Sequence, residues 1–96
     1  MHTGVIIEKL TLDEFSQVIK IEKKIVIEMV EYQLFQPEGK DPEEWLFDAF
    51  SLKRGRIAAS FYHDLEVNMQ GVALALELMD KIEDLQQQIA ILKKTI

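Results

Sequence analysis

Residues 71–96 read GVALALELMDKIEDLQQQIAILKKTI, and within them Ala75, Leu78, Ile82, Leu85, Ile89, Leu92 and Ile96 recur at alternating spacings of three and four. This spacing predicts a helix carrying one continuous apolar seam, as in a coiled coil. The seam must be covered, either by a second helix or by the rest of the chain. Its last two heptads reach beyond what a small head can cover, so a homodimer through this arm is the expectation. Asn68 is placed to cap the helix, and Gly71 falls in its first turn, where a side chain would crowd a packed neighbour. From the residues alone the pairing direction stays open. Isoleucine at 82, 89 and 96 with leucine at 78, 85 and 92 suits a parallel dimer. The early acids Glu77, Asp80, Glu83 and Asp84 and the late Lys93 and Lys94 suit the helix dipole and an antiparallel pair.

The 96 residues and their 48% hydrophobic fraction set the rest of the chain as one modest folded head. A chain of this length buries a smaller share of its surface than a large domain does, so pairing would add useful stability. Cysteine is absent, which removes disulfides and thiolate metal sites and is compatible with a reducing compartment. No apolar run reaches a membrane span, and Met1 to Lys9 lacks a basic region before its short patch Val5 to Ile7, so no signal peptide is read and a cytoplasmic location is expected. The net charge of -6 is uneven: residues 1–47 hold 10 acids against 5 bases. Duplex DNA is bound mainly through lysine and arginine, so an acidic head is a poor unaided DNA binder and a better match for a basic protein.

Within residues 1–68 the pattern predicts a helix-turn-helix head. Val5, Ile6 and Ile7 suggest a short strand. Thr11 with Glu14 forms a capping box for a first helix ending near Ile19, whose apolar face is Leu12, Phe15, Val18 and Ile19. A second helix is read from Glu22 to Leu34 and is broken by the run Gln36 to Pro42. Trp45, Leu46 and Phe47 then form a brief strand able to pair with Val5 to Ile7 as a small two-stranded wing. Trp45 and Phe47 are read as core. Asp48 caps a third helix from Ala49 to Asp64, with Phe50, Ile57, Phe61 and Leu65 as core positions and Lys53, Arg54 and Arg56 as the basic cluster. The fold class is mainly α, with a head over 1–68 and a dimerisation helix over 69–96.

Catalysis needs converging groups, and none are assembled here. His2 lies at the terminus and His63 among Tyr62, Asp64 and Glu66; both are read as surface residues. The four glycines form no phosphate loop, and Asp41, Glu43 and Glu44 do not have the spacing of a calcium loop. No enzyme activity, metal or cofactor is expected. The acids Glu28, Glu31, Asp41, Glu43 and Glu44 are the first candidates for a partner-binding surface, and Glu77, Asp80, Glu83 and Asp84 the second.

Two segments carry a family resemblance: Trp45-Leu46-Phe47-Asp48, and Leu65-Glu66-Val67-Asn68-Met69-Gln70-Gly71-Val72 continuing through Leu76, Leu78, Met79, Asp80, Ile82 and Leu85. With the order of elements from about Leu10 to Ile96, they make the chain similar to the chaperone modulator CbpM family, which has a MerR-like winged helix-turn-helix head. The resemblance implies binding to the J-domain of CbpA, a DnaJ-like co-chaperone, and inhibition of its co-chaperone and DNA-binding activities. It also favours antiparallel pairing of the arms. The alternative is a MerR-type DNA-binding transcriptional regulator. Such readers place arginine in the second helix, where this chain has Glu22-Lys23-Lys24-Ile25-Val26-Ile27-Glu28-Met29-Val30-Glu31 and no arginine. That helix offers few side chains for guanine edges or phosphates.

Overall fold

The structure, a computed structural model, describes residues 8–95. In chain order it contains β1 (Leu10–Thr11), α1 (Leu12–Ile19), α2 (Lys23–Glu31), a 3-10 turn (Pro42–Glu44), β2 (Leu46–Phe47), α3 (Ala49–Ala59), a π turn (Ser60–Asp64) and α4 (Met69–Thr95). The expected strand Val5 to Ile7 lies outside the described residues. Its assigned place beside β2 is taken by β1, which pairs antiparallel with Leu10 opposite Phe47 and Thr11 opposite Leu46. The run Gln36 to Pro42 is the wing loop. Glu38 and Leu46 exchange both main-chain hydrogen bonds at 3.0 Å, and Gly39 turns the chain at φ 110°, where an added Cβ would stand 2.8 Å from the Glu44 carbonyl oxygen.

Local chemistry starts and stops each helix. The capping box at α1 is complete: the Glu14 amide donates to Thr11 Oγ1 at 3.2 Å and the Thr11 amide donates to Glu14 Oε1 at 2.9 Å. At its other end Lys20 adopts the left-handed conformation and the Ile21 amide donates to the Ser16 carbonyl at 3.1 Å. The second helix stops at Glu31, three residues short of the expected Leu34. Gln33 takes φ 64°, and the Gln33 and Leu34 amides reach back to the carbonyls of Val30 at 2.9 Å and Met29 at 3.0 Å. This is a Schellman stop, which turns Leu34 and Phe35 into the core. No glycine marks it, so residue type alone does not reveal it.

The core is centred on aromatic rings. Phe15 of α1 stacks on Phe47 of β2 with centroids 4.1 Å apart, Phe35 meets both edge-on at 5.2 and 5.9 Å, and Trp45 meets Phe47 edge-on at 6.1 Å. Phe15 and Phe47 are fully buried and Trp45 nearly so. Around them pack Ile19, Ile21, Val26 and Met29, while Val18 of the expected α1 face is exposed.

Helix α3 corrects the sequence reading most. Phe50 and Leu65, expected in the core, are 66% and 63% exposed, and Ile57 and Phe61 are only partly buried. The buried residues are Ser51, Gly55, Ala58 and Ala59, a face of small side chains. Gly55 explains the choice, since a Cβ there would lie 2.6 Å from Cζ of Phe15. The helix backbone lies against the ring, and large side chains have no room on that face. Past Ala59 the chain continues as a π turn, and left-handed Glu66 redirects it into α4. Asn68 caps α4 as expected, its Oδ1 accepting from the Gly71 amide at 2.8 Å, and a Cβ at Gly71 would crowd Val67 at 2.6 Å. Met69, Val72 and Leu76 dock on the head, whereas every residue from Glu77 to Thr95 is exposed. The arm does not fold back.

Two outcomes follow from this packing. Gly55→Ala gains helix propensity of up to about 1 kcal/mol but overpacks the ring at a cost of about 1–3 kcal/mol. A net loss in urea unfolding is therefore expected, and a gain in stability would refute the contact. The second concerns Asp48, whose carboxylate accepts from the Ser51 amide at 2.8 Å to start α3. That bond, helped by the Ser51 hydroxyl and Lys9 and opposed by desolvation, holds the Asp48 carboxyl below its ordinary value. A depressed folded pKa stabilises above the unfolded value of about 3.9, and this contribution is lost as pH falls through the folded value. Asp48→Ala should cost about 1 kcal/mol at neutral pH, with the gap to wild type narrowing below about pH 4.

Candidate partner-binding and pairing surfaces

The first candidate acids occupy two places. Asp41 begins the 3-10 turn through its main chain, its carbonyl accepting from the Glu44 amide at 2.8 Å, and Pro42 presets the turn that exposes Glu43 and Glu44. Glu43 borders a shallow hollow with Leu12, Asp13, Lys23 and Ile27, and there Lys23 pairs with Asp13 at 2.8 Å. Glu28 and Glu31 stand further along α2, half-buried and exposed respectively. Among the described residues no ion pair engages Glu28, Glu31, Asp41, Glu43 or Glu44. The structure does not gather them into one cluster.

On α4 the acids are used differently. Asp80 accepts from Arg54 Nη1 at 2.7 Å, and the same guanidinium donates through Nε to the Leu34 carbonyl at 2.5 Å and lies 5.8 Å over the exposed Phe50 ring. Arg54, one member of the basic cluster read in the sequence, is thus a tie between the end of α2, α3 and the arm. Its side chain is only 15% exposed. Lys53 and Arg56 remain at the surface. His63 is also exposed, with Nδ1 at 3.2 Å from Asp64 Oδ1.

Two grooves flank the arm where it leaves the head. One, of about 270 Å³ between α3 and α4, is floored by Phe50, Ile57, Met79 and Ile82. The other, of about 410 Å³ between the end of α2 and α4, is bordered by Tyr32, Gln33, Leu74, Glu77 and Asp80. Beyond them runs the seam: Leu78, Ile82, Leu85, Ile89 and Leu92 are each at least half exposed and Ala75 is half-buried, while Ile96 lies outside the described residues. Sequence reasoning missed Phe50, Tyr32 and Leu74 as surface residues. The spacing of Ser51, Gly55, Ala58 and Ala59 was the available signal for Phe50, because small residues four and three apart mark a helix face in close approach. Tyr32 and Leu74 had no such signal.

Among the described residues no group of three or more His, Cys, Asp or Glu side chains is placed to hold a metal, and no helix is long and apolar enough to cross a membrane. The exposed face of α2 carries Lys23, Lys24 and Glu31 and no arginine.

Residues 10–94 match the MerR HTH family regulatory protein model. The chain is 52% identical over 94 residues to a chaperone modulatory protein CbpM of Coxiella burnetii, covering 95% of this chain and 89% of that protein. It is 35% identical over 94 residues to a protein of the same name from Pseudomonas putida, with 98% and 93% covered, and 34% identical over 97 residues to one from Pseudomonas entomophila, with the same coverage. A helix-turn-helix head of this type, with a small wing and a long last helix, places the chain in the MerR helix-turn-helix family and, within it, among the CbpM chaperone modulatory proteins.

Proposed function

We propose that the chain acts as a chaperone modulator by binding the J-domain of a DnaJ-like co-chaperone, CbpA, and so inhibits its co-chaperone and DNA-binding activities. The observation that carries this reading is the combination of a helix-turn-helix frame that has no arginine on α2 with exposed acids at Glu31, Glu43 and Glu44 that form no ion pair among the described residues, where a DNA reader needs arginine and lysine. A basic helix of a protein partner suits that surface. Complementary charge speeds and orients docking, while a few desolvated apolar or aromatic groups supply most of the affinity. The mechanism is steric occlusion with no covalent step, and it takes place in the cytoplasm. The division of labour is a head over residues 1–68 and a pairing arm over 69–96 whose first two turns are shared with the head core. Two copies join through Ala75, Leu78, Ile82, Leu85, Ile89, Leu92 and Ile96.

The MerR family match favours one second reading, a DNA-binding transcriptional regulator. It requires retardation of DNA carrying inverted half-sites, which the charge of -6 and the lack of arginine on α2 oppose.

Calorimetry with a purified CbpA J-domain should show binding by tens of micromolar, weakening as salt is raised from about 50 to 500 mM. No binding in that range would end the reading, and affinity indifferent to salt would remove its electrostatic part. The pairing is tested separately: Ile82→Asp with Ile89→Asp should sediment as a monomer while the head still unfolds cooperatively. Spin labels on Gln87→Cys and on Lys94→Cys then give the direction, since short distances between copies at both positions mean parallel arms.

A further inference from the structure

The groove beside the end of α2 combines three properties that the wing acids lack. It has uncovered apolar anchors: Tyr32 is 38% and Leu74 54% exposed, beside Gln33 and Gln70. Its free charge has one sign. Glu77 lines the groove and Glu28 and Glu31 stand on α2 within a turn or so of Tyr32, while the cation in the lining, Arg54, is held by Asp80 and the Leu34 carbonyl. No residue of the seam lines it, Leu74 standing one turn before Leu78. The groove floored by Phe50 differs on this last point, since it shares Ile82 with the seam and a helix lying there would cover it. The wing hollow differs on the first, since its apolar side chains Leu12 and Ile27 are partly buried against the core.

A cleft between two helix surfaces with exposed apolar anchors and acidic rims can serve as the receptor half of helix-in-groove recognition, in which side chains spaced three and four apart anchor a third helix. We propose that this groove receives a basic amphipathic helix of the partner protein. Apolar side chains of that helix cover Tyr32 and Leu74, and lysines or arginines along its flanks meet Glu28, Glu31 and Glu77. The proposal rests on the reading above that the chain binds a basic J-domain surface. It moves the centre of contact from Asp41, Glu43 and Glu44 on the wing to the junction of α2 and α4. Glu28 and Glu31 from the first set of candidate acids and Glu77 from the second then belong to one surface.

The test measures calorimetric affinity of the full chain for a purified CbpA J-domain at two salt concentrations, in wild type, Leu74→Asp, Glu77→Lys and the double variant Glu43→Lys with Glu44→Lys. All four positions are exposed, and thermal melting and sedimentation confirm fold and oligomeric state. Leu74→Asp should weaken binding at least about tenfold, as expected for an anchor at the centre of an interface. Glu77→Lys should weaken it several-fold and flatten its salt dependence, and the wing variant should change it less than about twofold. Tyr32→Ser repeats the test from the α2 wall if Leu74→Asp does not fold. Wild-type affinity in the groove variants, with wild type binding well, overturns the proposal and leaves the J-domain reading intact. A Leu74→Asp chain that loses its oligomeric state also overturns it, because the groove then belongs to a second copy. Failure of the wild type itself to bind removes the J-domain reading and the proposal with it.

Discussion

The contact of the Phe15 ring with the backbone of Gly55 governs the rest of the molecule. With Phe15 stacked 4.1 Å from Phe47, the ring also fixes β2 against α1, and with it the wing. An α-helix pressed this closely onto an aromatic face must present small residues, which sets the rotation of α3 about its own axis. That rotation turns Phe50 outward and brings Arg54 between the Leu34 carbonyl and Asp80. The arm therefore leaves the head along a direction held by three buried residues, Met69, Val72 and Leu76, and by one guanidinium. Hydrogen bonds to a charged group contribute about 1.5–3 kcal/mol each where shielded, and the solvent-facing half toward Asp80 is worth about 0–1 kcal/mol. Apolar docking carries the joint, and Arg54 sets its angle.

The elements whose cause is local were legible in the sequence. Thr11 with Glu14, Asp48 and Asn68 name their helix starts because a side-chain oxygen beside free amides is a property of neighbouring residues. The seam of α4 and the burial of Trp45 and Phe47 likewise follow from residue type and period. What sequence could not supply was set by tertiary contact. Three helices end on left-handed Lys20, Gln33 and Glu66, none of them glycine, so the punctuation that marks most such stops is absent. Each tolerates that conformation because the next residues, Ile21, Leu34 and Val67, gain main-chain bonds and apolar cover. The phase of α3 was misread for a related reason: size alone assigns Phe50 and Leu65 inward, whereas the close approach at Gly55 reverses the faces. Val5 to Ile7, the stretch whose residue types read as a strand, lies outside the described residues, and among those the pairing with β2 is made by Leu10 and Thr11 at the entrance to α1.

The candidate surface divides in the same way. Sequence nominated a residue type, acids on a helix-turn-helix frame, because charge is additive along a chain. It could not say which acids are free. Asp80 proves to be committed to Arg54 and Asp13 to Lys23, whereas Glu28, Glu31, Glu43, Glu44 and Glu77 form no ion pair among the described residues. Nor could it place Tyr32 beside Leu74, since that proximity comes from the Schellman stop of α2 and the docking of α4 together. Charge without such apolar anchors steers an encounter but holds it weakly. The helix-turn-helix frame thus carries exposed acids at Glu31, Glu43 and Glu44 and no arginine on α2.

In the proposed dimer the arm would serve both the pairing seam and one wall of the groove beside Tyr32. Five seam residues with about half of their side-chain surface in water, contributed by each of two copies, offer on the order of 10 kcal/mol when covered, at about 1.5–3 kcal/mol for a full side chain. Association costs roughly 4–15 kcal/mol, so the seam suffices only if the arms are ordered before they meet. Docking of Met69, Val72 and Leu76 provides that order for the base of the helix, and Lys93 and Lys94 in its last turn suit the dipole at the other end. In the proposed pairing the seam positions face the second arm, while Glu77 and Asp80 border the groove beside Tyr32, which no seam residue lines. A second copy on the seam would leave the α2 wall of that groove uncovered for a partner.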